Sequence, residues 1–180
     1  MRLEKENTVL VVIDLQERLF PVMNEKEVLL KNIGVLIEGS QLLALPVLLT
    51  QQYTRGLGET LPELKEKIYG FSPIEKTAFS CYDEPVFVEK LEETACKNVL
   101  ICGIESHVCV LQTAVDLKAA GYNPVVVFDC VSSRSEANKS LALERFRHEG
   151  ILVSGYESAL FELTKNAKDT AFKGISALVK

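Results

Sequence analysis

The chain has 180 residues, 47% of them apolar and 25% charged, with 20 Lys and Arg against 25 Asp and Glu for a net charge of −5. That length sustains a single hydrophobic core, and an acidic balance with bases scattered among acids excludes a protein built mainly to bind nucleic acid. No segment reaches the roughly 20 apolar residues of a membrane-spanning helix. The start, MRLEKENTVL, also lacks the features of a signal peptide, so one cytoplasmic domain over 1–180 is expected.

The first predicted strand is TVLVVID (8–14), β-branched and apolar without alternation, as in a parallel sheet covered on both faces. A helix follows over 25–45, with Val28, Leu29, Ile33, Leu36, Ile37 and Leu43 near the helical period. PVLLTQQ (46–52) is the second strand. The irregular stretch from Tyr53 to about Ser72, opening YTRGLGETLP, is long enough at a strand's carboxyl end to carry binding residues. IEKT (74–77) is placed as a strand by its position alone. A helix over 84–95 has Pro85 near its start, where a missing N–H costs least. NVLICG (98–103), a helix over 106–120 stopping at Gly121, NPVVVFD (123–129), a helix over 135–149 stopping at Gly150, and GILVSG (150–155) follow in turn. Helical segments near 156–163 and 167–179 close the chain. Strands alternating with helices predict an α/β fold, a Rossmann-like three-layer α/β/α sandwich around a mostly parallel six-stranded sheet. Ligands in such sheets sit beyond the carboxyl ends of the strands, where strand order reverses.

Five cysteines, Cys81, Cys96, Cys102, Cys109 and Cys130, form no C-x-x-C pair, and neither histidine completes a zinc pattern with them. Cys109, in GIESHVCVLQTA, falls in the first turn of a predicted helix, where free N–H groups favour a thiolate; a buried packing cysteine is the competing reading. His107 is two residues away and would face elsewhere, so it is not a base for Cys109. His148 suits the last turn of its helix through the dipole. Asp14, after five apolar residues, is either a costly buried carboxylate with a partner or a polar residue leaving its strand. Lys76, near another strand end, would stabilise a neighbouring carboxylate and thiol, or is simply solvated. Asp129, Ser133 and the serine-rich DCVSSR run read as caps and turns, with Arg134 open to a subunit contact. The GLG at 56–58 lacks the spacing of a nucleotide loop, so no cofactor is expected.

Taken together, VVIDLQERLF (11–20), EKTAFS (75–80), CGIESHVCVLQTAVDL (102–117) and DCVSSR (129–134) resemble the isochorismatase-like cysteine hydrolase family, in the branch without metal. The resemblance covers nearly the whole chain. It implies a catalytic triad of Asp14, Lys76 and Cys109, and a cis peptide at Ile104–Glu105. It also implies an oxyanion hole from the backbone N–H groups of Glu105 and Cys109. The activity implied is hydrolysis of a small amide, imide or ester through a thioester acyl-enzyme, in a homo-oligomer. Residues 15–75 contain no His, which removes the metal ligands of the nicotinamidases in that family, so no metal is expected. Gln16, Phe20, Gln52, Tyr53, Phe79 and Glu105 are candidate pocket residues. Two alternatives stand beside the hydrolase: a thiol redox protein with a reactive Cys109 resolved by Cys102 or Cys130, and a non-catalytic oligomeric member. No residue names the substrate.

Overall fold

Each predicted strand is found: β1 (Thr8–Ile13), β2 (Val47–Gln52), β3 (Ile74–Lys76), β4 (Asn98–Ile104), β5 (Asn123–Ser132) and β6 (Leu152–Ser154). They form one sheet in the order β3-β2-β1-β4-β5-β6, every pair parallel. The computed structural model describes residues 1–180. All residues of β1 and β4 are buried, which is why these runs are continuously apolar instead of alternating.

The two-residue period of the strands divides the core. Leu10, Val12, Leu100, Cys102, Val125 and Val127 face α1 (Lys26–Leu42), α7 (Tyr156–Thr164) and α8 (Phe172–Leu178). Val9, Val11, Ile13, Val99, Ile101 and Val126 face α4 (Pro85–Glu93), α5 (Leu111–Ala119) and α6 (Glu136–His148). The long irregular stretch carries two one-turn helices, α2 (Thr54–Leu57) and α3 (Pro62–Lys65). No helix is long and apolar enough to cross a membrane.

Several boundaries differ from expectation; the closing helix, expected over 167–179, is confined to Phe172–Leu178, and the sixth strand, expected over 150–155, to Leu152–Ser154. The helix predicted from Ser106 opens as a π-turn over Ser106–Val110, with the Val110 N–H donating to Glu105 O at 3.2 Å, before α5 begins. The first helix stops at Leu42 because Ala44 takes a left-handed conformation that turns Leu43 and Leu45 back into the core. The fifth strand runs on to Ser132 past a register shift opposite Ile101–Gly103.

From β1 the chain winds outward to β2 and β3, then returns to place β4 on the other flank of β1. The order therefore reverses between β1 and β4, and the carboxyl ends of these two strands are the crevice to search. Gly103 lets them meet. It lies opposite Ile13 at φ +116, and a Cβ there would lie 2.1 Å from Ile13 O and 2.6 Å from Ile13 N. Backbone cannot give way as a flexible side chain does. Gly103→Ala is therefore expected to cost about 3 kcal/mol or more in urea unfolding. A loss well under 1 kcal/mol would mean that β1 and β4 part freely here.

Candidate active site

Asp14 leaves β1 through a left-handed turn, φ +53, a conformation that Asp tolerates better than most residues. The turn puts its carboxylate into the interior with no exposure. The Thr50 hydroxyl donates to Oδ1 at 2.8 Å. Oδ2 lies 2.7 Å from Lys76 Nζ in a fully buried ion pair. Burial pushes the Asp14 carboxyl above its ordinary range; Lys76, Thr50 and Cys109 offset only part of the rise.

Lys76, the last residue of β3, is equally buried. Besides the ion pair, its ammonium donates to Gln52 Oε1 at 2.6 Å, Ala78 O at 3.1 Å and Phe79 O at 3.2 Å. Burial works against its charge, but the Asp14 carboxylate, with Cys109 and Cys81 beside it, outweighs that penalty and raises the pKa. The ammonium therefore keeps its proton, and the carboxylate beside it is a stronger base than an exposed aspartate.

Cys109 comes to the same place from the π-turn that follows β4, 6% exposed and within hydrogen-bonding reach of Asp14. Burial and the Asp14 charge push its thiol up to about 12, with Lys76 pulling the other way. Burial and Asp14 thus oppose the thiolate that a helix start favours, and Lys76 offsets only part of this. π-turns inside helices mark functional sites often enough for this one to count as a signal. The Ile104–Glu105 peptide just ahead is cis, and the Glu105 N–H donates to no acceptor in the protein.

The predicted pocket residues divide. Tyr53 and Phe79 are 52% and 56% exposed at the edge of the Lys76 loop, and no other member of the set is so open. Phe20 instead packs into the core beneath α1, on the sheet face opposite Cys109, because a short 3-10 turn over Phe20–Val22 folds it inward. Gln16 is fully buried and spends its amide on the chain: Nε2 donates to Gln52 O at 3.0 Å and Gly58 O at 2.7 Å, while Oε1 accepts from Gln52 N at 2.7 Å. Gln52 serves Lys76. The Glu105 side chain turns away to accept from Arg134 Nε at 3.1 Å and Arg134 N at 3.2 Å. His107 likewise faces the Ser133 hydroxyl, 2.9 Å away, and not Cys109. Asp129 caps α7 by accepting from Tyr156 N at 2.9 Å, the structural role read for it.

Two residues at the site escaped the sequence reading. Thr50 holds Asp14, and Cys81 lies 3.9 Å from the Thr50 hydroxyl, its thiol also pushed up to about 12 by burial and by Asp14. Only the register between β1 and β2, which pairs Ile13 with Thr50, would have pointed to them. Cys102 and Cys130, named as possible resolving thiols, lie on the α1 side of the sheet while Cys109 lies on the other. The sheet separates them, and a disulfide with Cys109 is out of reach. No group of three His, Cys, Asp or Glu side chains converges as metal ligands would.

Residues 8–158 match the isochorismatase domain model. Isochorismatase domain-containing protein 2A of Mus musculus is 36% identical over 180 residues, spanning 99% of this chain and 85% of that protein. The MAR1 ribonuclease of Caenorhabditis elegans superposes with a TM-score of 0.94 at 34% identity, covering 99% of this chain and 92% of that one. The Escherichia coli ycaC product, described as an octameric hydrolase of unknown specificity, superposes at 0.93 with 24% identity over 99% and 89% of the two chains, a likeness of fold.

Proposed function

The chain belongs to the isochorismatase family, with that family's hydrolase fold, and from this premise we propose that it is a cysteine hydrolase of small, uncharged amides, imides or esters. One observation carries the proposal: at the reversal of strand order, a buried carboxylate, a buried ammonium and a nearly buried thiol converge from three separate elements. The carboxylate and the ammonium are costly to bury and have no packing role that apolar residues would not fill better, and the thiol sits beside both.

The chemistry follows from the proton affinities. The Cys109 thiol gives its proton to Asp14 Oδ2 as its sulfur attacks the substrate carbonyl, while Lys76 keeps the transferred charge close to a cation. The carbonyl oxygen becomes an oxyanion, for which the N–H groups of Glu105 and Cys109 are the proposed donors. Collapse breaks the bond to nitrogen or oxygen, and the proton held by Asp14 goes to the leaving group. Asp14 then takes a proton from water, which attacks the thioester and releases the acid and free Cys109.

Uncharged substrates fit because the nearby cations are committed, Lys76 to Asp14 and Arg134 to Glu105. Cleavage of RNA, the activity in the Caenorhabditis relative's name, is the second reading; a net charge of −5 weighs against it, and the experiment below includes it. Five free buried thiols suit a reducing cytoplasm. Exposed Tyr53, Phe79 and Val86 near the Lys76 loop suit a homo-oligomer, the state named for the bacterial octamer. The test is a panel of small amides, imides and esters, with RNA included, quenched in acid during turnover. An acyl mass increment on the Cys109 peptide is expected; turnover that leaves Cys109 unmodified sinks the thioester route.

A further inference from the structure

The geometry points to Gln52, clamped by Gln16, as the positioning residue for Lys76: a neutral acceptor that fixes the ammonium between Asp14 and Cys109. The inference rests on the reading that Lys76 serves Cys109. β2 and β3 pair Gln52 directly with Lys76, so the two side chains leave adjacent strands at the same level. Lys76 has only protons to give and Thr77 O can only accept, so the orientation of the Gln52 amide is forced: Oε1 toward Nζ at 2.6 Å, Nε2 toward Thr77 O at 2.7 Å. Asp14 and Gln52 are the two side chains that meet the ammonium, and the remaining contacts are carbonyls of its own loop.

Gln52 is itself fixed. Gln16, with no exposure, grips both its backbone N–H and its carbonyl, and reaches on to Gly58 O. A buried glutamine that holds both the N–H and the carbonyl of one residue, and ties it to Gly58 as well, is an anchor for that residue. The neutrality of Gln52 also has a consequence. The charged or titratable groups facing Lys76 are Asp14 from the end of β1, Cys109 from the π-turn, Cys81 from the turn Cys81–Asp83, and Glu84 at the head of α4. A second carboxylate in contact with the ammonium would draw it from Asp14 and repel a forming thiolate. An amide holds the cation without doing either.

The test uses Gln52→Met, which keeps volume and removes the acceptor, and Gln52→Glu, which keeps the acceptor and adds charge. Glu75→Gln is the control, since Glu75 ties the same loop through the Thr54 N–H without touching Lys76. Iodoacetamide alkylation of Cys109, followed by peptide mass mapping from pH 7 to pH 9, reads access to the thiolate without any substrate. Both Gln52 variants are expected to slow alkylation roughly tenfold across this range while the rate still climbs with pH as in the wild type. The control is expected to leave the rate profile in place. A profile unchanged in both Gln52 variants, or slowed equally by Glu75→Gln, overturns the proposal. The hydrolase reading stands or falls separately: turnover surviving in Cys109→Ala would remove it while leaving the slowed alkylation of the Gln52 variants intact.

Discussion

Cys109→Ala is expected to lower turnover of any substrate the wild-type protein hydrolyses by about 10⁴-fold or more, with the fold retained. Removing a nucleophile removes the covalent route altogether, and what survives comes from binding and oxyanion contacts to a water attack that the site is not arranged to support. The replacement is small. Cys109 lies in the core cluster beneath α5, and exchanging a sulfur for hydrogen at its edge is worth about 1 kcal/mol of stability. Activity and stability thus separate: steady-state rates collapse while the urea midpoint moves little. Cys109→Ser is not expected to restore the rate, because a hydroxyl holds its proton more tightly than a thiol already at about 12. Retention of more than a tenth of wild-type turnover by the alanine variant would falsify the assignment of Cys109 as nucleophile.

The parts of this site legible in the sequence were those announced by a clash between a residue and its neighbours. Asp14 closes a run of apolar residues, and a carboxylate there needs a partner to be tolerated. Cys109 followed a strand and a turn, in a motif specific enough to suggest a family. Lys76 showed less, since β3 is three residues long and has little pattern of its own. The supporting residues were hidden because they depend on strand register. Nothing in TQQ distinguishes a threonine that holds Asp14 or a glutamine that holds Lys76 from polar residues lining a pocket. Phe20 misled for a related reason: an aromatic just past a strand end can face the crevice or the core, and a short 3-10 turn decided for the core. The π-turn at Ser106–Val110 left no trace in a pattern that reads as helix from Ser106 onward, yet it sets where Cys109 points.

Lys76→Met is the second large effect expected, and it tests how the buried charges depend on one another. The substitution roughly preserves volume but strips Asp14 of its ammonium, leaving a fully buried carboxylate with only the Thr50 hydroxyl and the Cys109 thiol beside it. Breaking a buried pair from one side costs about 3–5 kcal/mol, more than the pair itself contributes. The loss should depend on pH in a defined direction. The Asp14 carboxyl is already raised by burial, and without Lys76 nothing comparable opposes that rise. A group whose folded pKa lies above its unfolded value favours the folded state below the unfolded pKa, and loses that stabilisation as pH climbs to the folded pKa. The variant should therefore be markedly more stable at pH 5 than at pH 8 relative to wild type. Adding Asp14→Asn should return a good part of the loss at pH 8 by removing the charge left behind, although neither variant is expected to turn over substrate. Denaturant unfolding of the two singles and the double at both pH values measures the coupling. Strictly additive losses with no pH dependence would mean that Asp14 and Lys76 are not a mutually dependent pair, and the proton route from Cys109 would lose its base.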